Sequence, residues 1–251
     1  MSFIPSSDFY AEVAKGNIPG HALKTIFGRN PAVQMAAEED LWTPGGKLVF
    51  LTAADTLDLV STSAADTAAG AGARSVTIEG LDTNLDPLFE TIPLNGTTPV
   101  TTVNSFRRTL NAFVKTVGTY GVANTGAITI TDTTGSSTQA LIDAGQGVTQ
   151  MSHYTIANAK RGFIINIFPS VETSKIATFI TNRRDDADDV VAPFTGLRRG
   201  FTVGGAEGAL PDLIVKPIEL FGKTDFWFSA TVTANNTQVH IFYQLLLVDD
   251  S

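Results

Sequence analysis

The chain contains no cysteine, so no disulfide framework, thiolate metal site or cysteine nucleophile is possible. Histidine is nearly as scarce: His21, His153 and His240 sit in three separate segments with no paired metal-binding spacing. Charge is sparse too, with only 17% of residues ionic and a formal net charge of −8. That balance argues against nucleic acid as the main partner, because phosphate binding needs clustered Lys and Arg. The longest apolar stretches, IINIF and LLLV, fall far short of the ~20 residues that cross a bilayer, so no membrane partner is expected. The opening MSFIPSSDFYAEVAKGNIPG has no basic stretch followed by an apolar run, and the expectation is a chain without a signal peptide.

Apolar residues make up 43% of the 251, enough for a full core in one large β domain or two small ones. Residues 1–46 differ in texture from the rest. Pro5, Pro19, Pro31 and Pro44, with glycines at 16, 20, 28, 45 and 46, interrupt every periodic run. Short helices are expected at Asp8–Lys15 and Pro31–Leu41. The apolar residues Phe3, Ile4, Phe9, Tyr10, Ile18, Leu23, Ile26, Phe27 and Trp42 follow no clean period here, and such a segment cannot bury itself. They are read as interface residues of an extended docking arm, laid on its own domain or on a neighbouring subunit.

From Lys47 to Ser251 the pattern is β: KLVFL, TLDLVSTS, RSVTIEG, PLFETIPLNG, GAITITD, KIATFITNRR, DFWFSATVT and VHIFYQLLLVDD alternate apolar and polar residues between turns. Their spacing predicts an all-β, antiparallel, jelly-roll-like sandwich, either one large domain or two closely packed sub-sandwiches. Residues 136–151 read equally as one helical turn closed by Gly145 or as a strand edge.

Chemistry is thin. The Gly46–Lys47 and Gly222–Lys223 pairs lack the glycine that a phosphate loop places five residues before the Gly, and there is no GxSxG elbow. Asp82, Asn84 and Asp86 alternate as calcium ligands do, but an EF-hand needs Gly sixth and Glu twelfth, where this chain has Pro87 and Pro93. A hairpin turn fits better, since Asp and Asn bond their own backbone. Asp185, Asp186, Asp188 and Asp189 form the second weak cation candidate; the alternative is a solvated loop offset by Arg183 and Arg184. One arginine of each pair at 107–108, 183–184 and 198–199 is expected to salt-bridge across a subunit contact, with phosphate recognition as the alternative. Phe226–Trp227–Phe228 suggests either core packing or an exposed sugar-stacking surface. No cofactor and no catalytic residue are assigned, and no enzyme is expected.

The segments GARSVTIEGLD, ETIPLNGTTPVTT and SFRR, with NIPGHALKTIFGRNP and EEDLWTPGG upstream and YTIANAKRGFI and ANNTQVHIFYQLLLVDD downstream, resemble a family of tailed-bacteriophage virion proteins. The resemblance implies a virion protein assembled in a host cytoplasm, with the major capsid protein or tail proteins as partners. Capsid decoration or cementing is the first expectation. A tail or head-to-tail accessory protein, or a receptor- or glycan-binding tail module, is the alternative. A homo-oligomer is expected, with a trimer favoured by closed symmetry.

Overall fold

The computed structural model describes residues 9–210 and 216–250. Sixteen strands and one short helix follow in chain order: α1 Phe9–Ala14, β1 His21–Val33, β2 Glu39–Asp40, β3 Leu57–Ser61, β4 Ala73–Leu81, β5 Pro87–Pro93, β6 Val100–Thr101, β7 Arg108–Val117, β8 Ile128–Asp132 and β9 Thr138–Ile142. They continue with β10 Tyr154–Thr155, β11 Lys160–Val171, β12 Ile176–Arg184, β13 Arg198–Glu207, β14 Ile218–Leu220, β15 Asp225–Val232 and β16 Thr237–Asp249. The protein is all-β, and every strand pairing described is antiparallel.

Four sheets face each other in two pairs. The sheet β1-β16-β11-β14 lies across a core from the sheet β10-β15-β12-β13. Ile26, Ile164 and Tyr243 come from the first, and Phe179, Phe226 and Phe228 from the second. The sheets β6-β3-β8-β9 and β5-β4-β7 share a separate core of Leu57, Leu59, Ile78, Ile92, Ile128 and Ile130. Strands β3, β8 and most of β16 bury alternate side chains, as the period-2 pattern requires, whereas β15 is buried on both faces.

The two units are nested in the chain. β2 and β10 pair with the same strand, β15, at Ala230–Ser229 and Phe226–Asp225 respectively. The stretch between them, from about residue 47 to 150, forms the inserted unit, while residues 21–46, 151–210 and 216–250 make the terminal unit, with Trp42 and Met151 reaching into the inserted core.

This corrects the expected boundary after residue 46. His21–Val33 is a thirteen-residue strand paired with β16 through Ile26–Tyr243 and Asn30–Val239, not part of a detached arm. Ile26 and Trp42, read as interface residues, are core. No helix forms at Pro31–Leu41. Pro31 falls where the register shifts between Asn30 and Val33, a place where a strand tolerates a missing N–H. Gly28 is required for a different reason: a Cβ there would lie 2.5 Å from the Leu41 carbonyl oxygen and 2.6 Å from the Ser152 Cβ.

α1 falls inside the first expected helix. Val13 seats it on Ile165 and Leu246, on the outer face of the β1-β16-β11 sheet. KLVFL is not a strand, although Leu48 still packs against the inserted core. The ambiguous 136–151 stretch contains strand β9. Phe3 and Ile4 lie outside the described residues.

Candidate functional site

The strongest side-chain chemistry lies where the two units meet. Asp225, at the start of β15, is fully buried. It accepts from Arg108 Nε at 2.8 Å and Nη2 at 3.0 Å, from Arg184 Nη2 at 2.8 Å and from the Thr155 hydroxyl at 2.7 Å. Burial by itself would raise the Asp225 carboxyl, but Arg108, Thr155 and Arg184 outweigh it and hold the group below the ordinary aspartate range. Arg108 comes from β7 of the inserted unit, so this bidentate pair ties one unit to the other. Phe50 stacks against the same guanidinium, 4.9 Å from its ring centre, and Arg184 approaches that ring at 5.6 Å.

Beside it, Asp40 accepts from the Trp227 indole N–H at 3.1 Å and lies 3.1 Å from His153 Nε2. The His153 ring stacks on Trp227 and meets Trp42 and Phe50 edge-on. Trp227 is 9% exposed and Trp42 3%. The run Phe226–Trp227–Phe228 is therefore structural on both faces of β15. Phe226 and Phe228 fill the terminal core while Trp227 seals the junction, which removes the aromatic surface that suggested sugar stacking.

The expected cation candidates do not converge. The Asp82 carboxylate accepts from the backbone N–H groups of Asn84 at 2.8 Å and Asp86 at 3.0 Å, and Leu85 takes φ 62°. These bonds close the turn between β4 and β5. Asp185 pairs with Arg183 and Arg198, Asp188 with Lys223, and Asp189 accepts from the Thr195 N–H. Asp186 lies at 3.4 Å from the Thr195 hydroxyl. Among the described residues, no group of three His, Asp or Glu is placed to hold a metal. The acidic loop does have a junction role: the Ala187 carbonyl accepts from both Arg107 and Arg108.

Of the expected interface residues, Phe9, Tyr10 and Phe27 are exposed, while Ile18 and Leu23 pack beside α1. Sequence reasoning missed two surface features. Phe27, Phe242 and Phe168 stand in one row across β1, β16 and β11, because Phe242 is the register partner of both others. Phe27 and Phe168 are each 37% exposed, and Phe168 lies 5.7 Å from Phe242 ring to ring. The loop before β13 also shows Val190, Val191, Phe194 and Leu197 to solvent. The signal for the row was three phenylalanines at outward parity, but it is legible only once the register of β1 is known.

A cleft opens between the units beside this junction. It has a volume of about 310 Å³, and its walls come from β1, β7 and residues 148–151. Lys24 and Glu79 pair across it at 2.5 Å. Tyr154 borders it, and burial, then the charge of Glu79, pushes its phenol well above the ordinary tyrosine value.

No family model matches this chain, and no curated protein matches it. Among solved structures, the crystal structure of the infectious bursal disease virus VP2 subviral particle overlaps 92% of this chain and 73% of its own, at 11% identity and a TM-score of 0.22. The structure of the Gt strain of infectious bursal disease virus overlaps 97% and 76%, at 10% identity and a TM-score of 0.20. Structural similarity this slight assigns neither fold nor role to the chain.

Proposed function

We propose that the chain is a non-enzymatic structural protein of a tailed-phage virion, acting as a capsid decoration or cement subunit, and that its terminal unit is a jelly-roll sandwich carrying an inserted second sandwich. The observation that carries this is the strand order. With β2 and β10 counted as one interrupted strand, the terminal unit has eight strands in chain order, and its two sheets read 1-8-3-6 and 2-7-4-5. Two interlocked Greek keys give that order, an arrangement used by viral capsid and lectin domains. Fold alone does not give function, so the surface has to supply the rest.

The Phe27–Phe242–Phe168 row and the 190–197 loop offer apolar contact area without any chemistry attached. Contiguous exposed apolar surface of this kind favours a protein partner. The acidic side chains that could have served a reaction are committed to turns and ion pairs. Contacts with neighbouring copies, closing as a trimer, and with the capsid shell would cover the exposed rows and strengthen the particle without catalysis.

Density for the two nested units on the outside of the capsid, in a map of the virion, is the expected result. Density at the tail or at the head-to-tail junction would move the protein to an accessory station, and its absence from the particle would overturn the reading. A variant with Phe27 and Phe168 both changed to Ser tests the surface. It should keep its thermal stability but lose oligomer mass by light scattering and attachment to particles.

A further inference from the structure

The cleft between the units has two chambers, of about 310 and 150 Å³. Lys24, Glu79, Leu110 and Tyr154 border both, so the chambers are continuous. Its size reaches the range of small-molecule sites, which are favoured where two domains meet. One wall is a face of the β5-β4-β7 sheet. Phe89 and Asn111 are the register partners of Glu79 on its two sides, so Phe89, Glu79 and Asn111 stand in one row across three strands. Neighbouring strands lie ~4.8 Å apart, which makes the row ~10 Å long. The facing wall belongs to the terminal unit, with Lys24 from β1, Tyr154 from β10 and Leu247 from β16.

Several polar groups in this cleft lack a partner. Tyr154 is only 9% exposed, yet its hydroxyl has no hydrogen-bond partner among the described residues. A tyrosine this deeply buried ordinarily has one. Burial, then the charge of Glu79, keeps the phenol protonated, so it has one O–H to give and lone pairs to accept with. The Asn111 carbonyl oxygen accepts from the Thr149 hydroxyl at 2.7 Å, while the Asn111 amide N–H groups have no partner among the described residues. The charged groups, in contrast, are matched. Lys24 pairs with Glu79 across the cleft, and Lys160, at the rim of the smaller chamber, pairs with Asp249. Phe89 borders that chamber and is 59% exposed.

We propose that the cleft binds a neutral oligosaccharide, with one sugar ring stacked on Phe89 and the next hydrogen-bonded to Glu79, Lys24, Tyr154 and Asn111. A sugar hydroxyl both donates and accepts, so a single one can give its proton to Glu79 while accepting from Lys24. Neighbouring hydroxyls supply the partners that Tyr154 and Asn111 lack. The C–H face of a sugar ring carries slight positive charge, which suits the negative face of an exposed phenyl ring. Other ligand classes fit less well. An apolar molecule would leave the Tyr154 and Asn111 groups buried and unpaired, and an ion would have to break the Lys24–Glu79 pair. Phe226, Trp227 and Phe228 take no part, because their rings are buried. The inference rests on the cleft alone and stands apart from the virion reading.

A glycan array carrying neutral and acidic oligosaccharides, probed with the full chain, tests the ligand class. Calorimetric titration of the best-bound neutral glycan into wild type, Tyr154→Phe and Phe89→Ala then tests the site. Binding should be confined to neutral glycans, and each variant should weaken it about five- to tenfold, the worth of one hydrogen bond or one stacked ring. Both variants should keep the wild-type melting temperature, since one deletes an oxygen without a protein partner and the other an exposed ring. An array with no neutral glycan bound would overturn the proposal. Equal affinity in all three proteins, or tighter binding of acidic glycans, would overturn it too.

Discussion

Replacing Asp225 by Ala removes the one carboxylate shared by Arg108, Arg184 and Thr155. The side chain of Arg108 is 3% exposed and cannot swing into solvent without opening the junction, whereas Arg184, at 27%, can partly rehydrate. Removing one partner of a buried ion pair costs about 3–5 kcal/mol, because the remaining charge stays desolvated. For a chain of this size each kcal/mol moves the melting temperature by about 2–4 °C, so Asp225→Ala should melt ~6–20 °C lower. Since the pair joins two units with separate cores, calorimetry should also show the single transition broadening or splitting. Changing Arg108 to Met as well removes the orphaned charge, and the double variant should recover part of the loss. The pH dependence has a definite sign. A depressed carboxyl contributes stability above its unfolded value of about 3.9 and loses it as pH falls through the lower folded value. The gap between wild type and Asp225→Ala should therefore narrow as pH drops from about 5 towards 2. A melting point for Asp225→Ala within ~2 °C of wild type at pH 7, or a double variant no more stable than the single one, would refute the claim that this pair locks the units together.

Gly28→Ala should destabilise by about 1–3 kcal/mol, because its Cβ meets the Leu41 carbonyl oxygen and Ser152, both held in the junction; an unchanged urea midpoint would count against the close approach. Asp82→Ala removes two acceptor bonds from the β4–β5 turn and should cost about 1 kcal/mol, read by chemical denaturation. Calcium or a chelator should leave the melting temperature of wild type unchanged, since Asp82, Asp185, Asp188 and Asp189 are occupied by backbone and cationic partners; a shift on chelation would reopen the cation reading.

Local sequence determined the strands and their turns. Alternation marked β3, β8 and β16, because a half-buried strand writes its period directly into the chain. The LDTNLDP turn was equally legible, since an aspartate that caps its own backbone needs only neighbours two and four residues away. The arginine pairs announced ion pairing but not the partner: Arg108 and Asp225 are 117 positions apart and meet only through the junction of two units. β1 stayed hidden because Pro31, Gly28 and Gly20 look like breakers, whereas the register shift and the close approach of Leu41 and Ser152 make the first two fit. The nesting of one unit within a strand of the other left no local mark either. Turn chemistry and side-chain period are short-range properties, so the sequence by itself determined them. Which edges pair, which charges meet and which aromatic rows remain uncovered depend on contacts between distant segments, and only the tertiary structure decided those.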